Sequence, residues 1–186
     1  MKKTIDLFCD IIDNYGDIGV VYRLGKELHN KNYKVRIFVN KLNEVAKIIR
    51  GFDSNLSQQI YKGIEFLDFD SFEIADTAEV IVEAFAVDIP ESYLEKLSTN
   101  TKLILNLEYL SAENWIENYH LKNSFSPKPY IEKFFYMPGF TAESGGIILD
   151  DSYLKLIELI KENREIYFNN FFKKFDLKYS SSTFYI

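Results

Sequence analysis

Three passages decide how this chain folds: TIDLFCDII at Thr4–Ile12, DNYGDIG at Asp13–Gly19 and KVRIFVN at Lys34–Asn40. The first is rich in β-formers and apolar along its length, as in a strand buried on both faces of a parallel sheet. The second is a polar turn. After it Ile18, Val21, Leu24 and Leu28 recur at helical spacing, with Arg23, Lys26 and Glu27 on the other side. The third is a second strand. A strand, loop, helix and strand within forty residues predict a right-handed crossover and a parallel pair.

The alternation continues outward from this unit. The pattern predicts a helix over Leu42–Arg50 and strands over Ile64–Phe69 and Glu79–Phe85. A helix over Pro90–Leu97 has proline in its first turn, where the missing N–H costs nothing. Lys102–Leu107 reads as a buried strand, Ser111–Asn114 as the start of a helix carrying Trp115, and Phe134–Met137 as a short strand. One long helix is expected over Asp151–Phe172, with Leu154, Ile157, Ile160, Tyr167 and Phe171 near one face. The expectation is an α/β fold with a Rossmann-like, doubly wound, mostly parallel sheet. At 186 residues the chain suits one domain, expected over 1–176. Residues 177–186 read as a linker and the first strand of a second domain, with TFYI at Thr183–Ile186.

Composition narrows the function. A net charge of −6 offers no basic field for nucleic acid, whose phosphates dominate such binding. No apolar run reaches the roughly 20 residues of a membrane span. The single cysteine, Cys9, lies in an apolar run and reads as inert core, which suits a cytoplasmic protein. With it and only two histidines, His29 and His120, a structural zinc site is not expected.

In an open parallel sheet, ligands bind beyond the carboxyl ends of the strands, where the loop Asp13–Gly19 lies. Gly16 and Gly19 permit a tight turn, but GDIG lacks the spacing of a dinucleotide fingerprint. Asp13 and Asp17, four residues apart across the turn, can face one crevice. Asp17 also suits the N-cap of the following helix, and the two roles are compatible.

Four passages extend the argument: DLFCDIIDNYGDIGVVYRLGKEL at Asp6–Leu28, VIVEAFAVDIPESYL at Val80–Leu94, NLEYLSAENW at Asn106–Trp115 and FFYMPGFTAESGGII at Phe134–Ile148. In this order they resemble the EarP family of protein-arginine rhamnosyltransferases, which modify translation elongation factor P. Tyr22 stands where that family usually has Trp, and Ser144-Gly145-Gly146 where Thr-Gly-Gly is usual. The resemblance implies the N-terminal half of a GT-B glycosyltransferase, receiving the acceptor protein. The other half would hold the donor, dTDP-β-L-rhamnose, together with the family's essential glutamate. It implies catalytic roles for Asp17, as base, and Asp13, and contact of Asn14, Tyr15, Gly16 and Asp17 with the donor sugar. It implies no cofactor and no metal, and a chain that alone does not transfer sugar. Two other readings are a non-catalytic module that binds elongation factor P, and a GT-B enzyme for another sugar and acceptor.

The chemistry suits the carboxylates. A guanidinium stays protonated at neutral pH and its nitrogens are poor nucleophiles. A carboxylate can grip the cation, orient one nitrogen and accept its proton as the new bond forms.

The remaining candidates are weaker. Glu108, Tyr109, Ser111 and Glu113 follow a strand on the ligand-bearing edge, where they are expected either to touch the acceptor or, for Ser111, to cap the next helix. Asp68-Phe69-Asp70 mimics a metal-binding DxD, although acidic residues at strand ends are commonplace. Glu83, inside VIVEAFAV, needs a partner, expected from a neighbouring loop. Gly139–Gly146 reads as a turn.

Overall fold

The computed structural model describes residues 2–12, 15–149 and 151–177. The chain divides into two compact units at residues 148 and 149. The first contains β1 (Thr4–Cys9), α1 (Gly16–Asn30), β2 (Lys34–Val39), α2 (Leu42–Ile48), β3 (Gln58–Tyr61) and β4 (Ile64–Asp68). It continues with β5 (Val80–Ala84), α3 (Glu91–Leu94), β6 (Leu103–Leu107), a 3-10 helix (Asn114–Asn118) and β7 (Glu132–Tyr136). The second contains α4 (Asp151–Glu162) and α5 (Arg164–Lys174).

The seven strands form one sheet in the order β3-β4-β2-β1-β5-β6-β7. All pairs are parallel except β3 with β4. From β1 the chain winds outward through β2 and β4, then returns to lay β5, β6 and β7 on the other side. The direction therefore reverses between β1 and β5, and the loops leaving their carboxyl ends diverge around a crevice.

Both sheet faces carry apolar clusters, as doubly wound strands require. On one face Leu7, Ile37, Phe66 and Val82 meet Ile18 and Val21 of α1 and Val45 of α2. Gly25 lets α1 lie close there: a β-carbon in its place would meet Ile37 Cδ1 at 3.0 Å. On the other face Phe8, Phe38, Ile81 and Ile104 meet Tyr93 and Leu94 of α3. Beneath this face Asp6 of β1 accepts two 2.6 Å bonds from Arg36 of β2 and a 2.5 Å bond from the Tyr93 hydroxyl. Burial pushes the Asp6 carboxyl up against the pull of Arg36, and burial, with the charge of Asp6, pushes the Tyr93 hydroxyl up.

Four expectations from the sequence are corrected. The first strand ends at Cys9 rather than Ile12, because the next residues bond side chains: Asn40 Oδ1 accepts from the Ile11 N–H (2.9 Å), and Lys41 Nζ donates to the Ile11 carbonyl (2.6 Å). β3 was not expected, since QQIY is short and half polar. A tight turn makes it, with Lys62 at φ 48° and Gly63 at φ 81°, both in the left-handed region a two-residue hairpin demands. The helix expected over Pro90–Leu97 is α-helical only at Glu91–Leu94. The long helix is interrupted at Asn163, whose φ of −127° and ψ of 37° are not helical, a residue type that favours caps over helix interiors. Of the expected second-domain start at 177–186, residues 178–186 lie outside the described residues.

Candidate active site

The crevice between β1 and β5 is built around Asp17. The N-cap of α1 is Tyr15, without a side-chain cap, and the Gly19 N–H donates to its carbonyl at 3.0 Å. Asp17 is thus not the N-cap expected from the sequence but a first-turn residue, a position that suits a negative charge. Its carboxylate turns back out of the helix: Oδ2 accepts from the Ile12 N–H and Oδ1 from the Tyr109 hydroxyl, each at 3.0 Å. Asp17 is 1% exposed, so two donors from two different loops fix a buried carboxylate.

Tyr109 is itself held. Its ring stacks on Phe85 with centroids 4.2 Å apart and planes at 11°. Phe85 and the following Ala86 have φ of 61° and 56°, unusual for residues with a β-carbon. The Phe85 N–H donates to the Leu107 carbonyl at 2.7 Å, so the sheet ladder carries this conformation one residue past β5. Strain of this kind is tolerated where surrounding structure imposes it, and it clusters at working sites.

Together these residues line a cleft of about 300 Å³ that includes Gly16, Asp17, Arg23, Glu108 and Ile148. Burial raises the Glu108 carboxyl above its ordinary range. The cleft therefore offers two acidic side chains beside the Arg23 cation, one aromatic face and an apolar floor. A planar cation matches that set: the carboxylates supply acceptors and Tyr109 a stacking surface.

Other sequence candidates fall elsewhere. Asp13 and Asn14 lie outside the described residues. Tyr15 is exposed beside Gly16. Ser111 and Glu113 do not line the cleft. The Ser111 hydroxyl accepts from the Glu113 N–H at 3.0 Å, while the 3-10 helix begins at Asn114 with Glu113 as N-cap, so Ser111 closes a turn instead of capping. Asp68 accepts from the Asp70 N–H at 2.9 Å in a turn. Among the described residues no three His, Cys, Asp or Glu side chains are grouped to hold a metal. Glu83 pairs with Lys133 of strand β7 at 2.5 Å, not with a loop. Gly139–Gly146 is a turn closed by the Gly139 N–H on the Gly146 carbonyl at 3.1 Å. Burial pushes the Cys9 thiol far up, in keeping with an inert core residue.

Arg23 and Phe85 were missed as site residues. Gly16, Val20 and Arg23 share one face of α1 at helical spacing, a signal that could have placed Arg23. The left-handed turn at Phe85 has no signature in VEAFAV.

A Rossmann-like sheet with a fixed carboxylate at its switch point is an α/β arrangement consistent with half of a GT-B glycosyltransferase. The family described as "Elongation-Factor P (EF-P) rhamnosyltransferase EarP" matches residues 5–183. A protein-arginine rhamnosyltransferase of Pseudomonas putida is 38% identical over 159 residues, 83% of this chain and 42% of the relative. Its namesake in Shewanella oneidensis is 36% identical over 156 residues, covering 78% and 39% of the two chains. One from Neisseria meningitidis serogroup B is 32% identical over 159 residues, covering 84% and 41%. The chain belongs to the EarP family, and it spans about two-fifths of the length of these curated relatives.

Proposed function

We propose that this unit is the acceptor side of an inverting protein-arginine rhamnosyltransferase, with Asp17 as general base, an arginine of elongation factor P as nucleophile and dTDP-β-L-rhamnose as donor. One observation carries the reading: the Asp17 carboxylate is buried and held by two donors in a cleft shared with Glu108 and Tyr109. The arginine enters with its plane over Tyr109 and its cation between the carboxylates. As one guanidinium nitrogen bonds to the anomeric carbon, it passes a proton to Asp17, and the carbon–oxygen bond to dTDP breaks with its electron pair. Attack opposite the leaving group turns the β-linked donor into an α-linked product. By the family resemblance, Asp13 is assigned a catalytic role beside Asp17, and Asn14, Tyr15 and Gly16 contact with the donor sugar.

A diphosphate leaving group needs positive charge. A chain of net charge −6 is poorly suited to provide it, and that task is assigned to a donor-binding half. No helix of the described residues is long and apolar enough to cross a membrane. We assign the reaction to the cytoplasm only because its proposed acceptor is a translation factor.

The test is a titration of the isotope-labelled chain with elongation factor P, beside an acceptor whose target arginine is alanine. The reading expects the resonances of Phe85 and Tyr109 to move with the arginine-bearing acceptor alone. Equal perturbation by both would refute it.

A further inference from the structure

A second cleft opens on the opposite face of the sheet, at the same carboxyl edge. It has a volume of about 420 Å³ and is lined by Glu83 of β5, Asn106 of β6, Lys133 of β7, Asp88, Phe125 and Val87 among others. Glu83, Asn106 and Phe135 are aligned across three neighbouring strands, so the Glu83 and Asn106 side chains leave the same face. Ile81 and Ile104 lie below them on that face.

Three features set this cleft apart from ordinary surface. Lys133 Nζ engages Glu83 Oε2 at 2.5 Å, with side chains only 14% and 12% exposed, so both charges have been drawn out of bulk water. Exposed Asp88 adds a second carboxylate close enough to raise the Glu83 carboxyl further. Two carboxylates against one ammonium leave the cleft one positive charge short. The Asn106 amide oxygen is buried and accepts no hydrogen bond, an uncommon condition for a buried polar atom. Finally, Phe125 is 95% exposed at the cleft wall, yet its loop is pinned by the Ser124 N–H on the Lys133 carbonyl at 2.8 Å.

We propose that this cleft is a second recognition subsite that takes an arginine side chain of a bound polypeptide. The guanidinium lies against the Phe125 ring and donates to the carboxylates of Glu83 and Asp88, while a half-turn of the Asn106 amide brings its unpartnered Oδ1 to the same group. Acceptors of two kinds around one cleft favour a planar group with several fixed N–H donors over the compact ammonium of lysine. The missing positive charge excludes an anion. The identity of the polypeptide as the acceptor protein rests on the function proposed above, whereas the cation subsite itself does not.

The experiment is a titration of the isotope-labelled chain with acetyl-arginine amide, acetyl-lysine amide and acetyl-citrulline amide. Citrulline has nearly the shape of arginine without its charge. The arginine probe should shift the Asn106 side-chain amide and the Phe125 resonance saturably, with millimolar affinity. Lysine should bind more weakly and citrulline not at all. Asp88→Asn should weaken the arginine probe about tenfold, and Phe125→Ala about threefold. Both residues are exposed, so the variants keep the fold. Absence of a saturable shift at Asn106, or an equal response to citrulline, overturns the subsite. Shifts confined to Phe85 and Tyr109 overturn it too, while leaving the Asp17 cleft standing. Shifts at Asn106 without any at Tyr109 support the subsite and count against the Asp17 reading.

Discussion

Asp17→Asn separates a catalytic carboxylate from a structural one. Asp17 accepts one bond from the Ile12 N–H and one from the Tyr109 hydroxyl. An asparagine keeps an oxygen for the first. Its amide can donate to Tyr109, whose hydroxyl rotates to accept, so neither partner is stranded. What is lost is the charge-assisted part of two bonds, about 1–2 kcal/mol in all. Asp17→Ala removes both acceptors and leaves the part-buried Ile12 N–H and Tyr109 hydroxyl without them, costing about 2–4 kcal/mol. For a chain of this size that corresponds to melting shifts of roughly 2–8 °C for Asn and about double for Ala. Turnover follows a different order. In a chain that carries a donor-binding half, Asn cannot accept the proton, so single-turnover rhamnosyl transfer should fall about 10²–10⁴-fold, nearly as far as in Ala. Thermal melts and mass-resolved transfer rates on the same preparations measure both quantities. An Asp17→Asn enzyme that melts a few degrees lower yet transfers at the original rate would refute the base assignment.

Other outcomes follow from the same geometry. Tyr109→Phe keeps the stack on Phe85 but removes one donor from Asp17; a stability loss of about 1 kcal/mol in melts, with a larger effect on transfer than on acceptor affinity, is expected. Glu108 has a raised folded pKa, so the fold gains stability as pH falls from that value to the ordinary carboxylate value, and loses that gain above it. A bound cation favours the ionised form, so acceptor affinity should drop as pH falls through that window, and Glu108→Gln should flatten the profile in calorimetric titrations. Arg36→Met strands the buried Asp6 carboxylate and should cost about 3–5 kcal/mol in denaturant melts. Gly63→Ala places a β-carbon 2.5 Å from the His29 ring at φ 81°, and should cost about 1–3 kcal/mol, read by hydrogen exchange at β3 and β4.

The parallel core was legible because strands buried on both faces must be apolar throughout, and TIDLFCDII, KVRIFVN and KLILNL are close to that. The ligand edge followed from alternation alone. Exceptions arise where a local geometry outweighs pattern. The β3–β4 hairpin depends on a left-handed Lys-Gly turn, and edge strands need no apolar period. Asn163 splits a helix whose apolar spacing runs on through the break. At the site, Asp17, Glu108 and Tyr109 were singled out as separate candidates on two loops. Their convergence depends on β6 lying beyond β5, which no spacing within the chain encodes. Arg23 was passed over because it looked like solvated helix surface.

The two edges of the sheet differ in what they leave open. Beyond β7 the segment 121–124 runs alongside: the Leu121 N–H donates to the Phe135 carbonyl, the Phe135 N–H to Lys122 and the Ser124 N–H to Lys133. Both outward backbone groups of Phe135 and the Lys133 carbonyl are thereby consumed, which hinders the addition of an extended peptide there as an eighth strand. At the other end stands β3, four residues long and set by a tight turn, too brief a template for stable pairing. A visiting protein is thus denied the generic grip of main chain on main chain. Under the function proposed above, the acceptor is then recognised by its side chains, a constraint that selects a particular residue over any exposed strand a partner happens to offer.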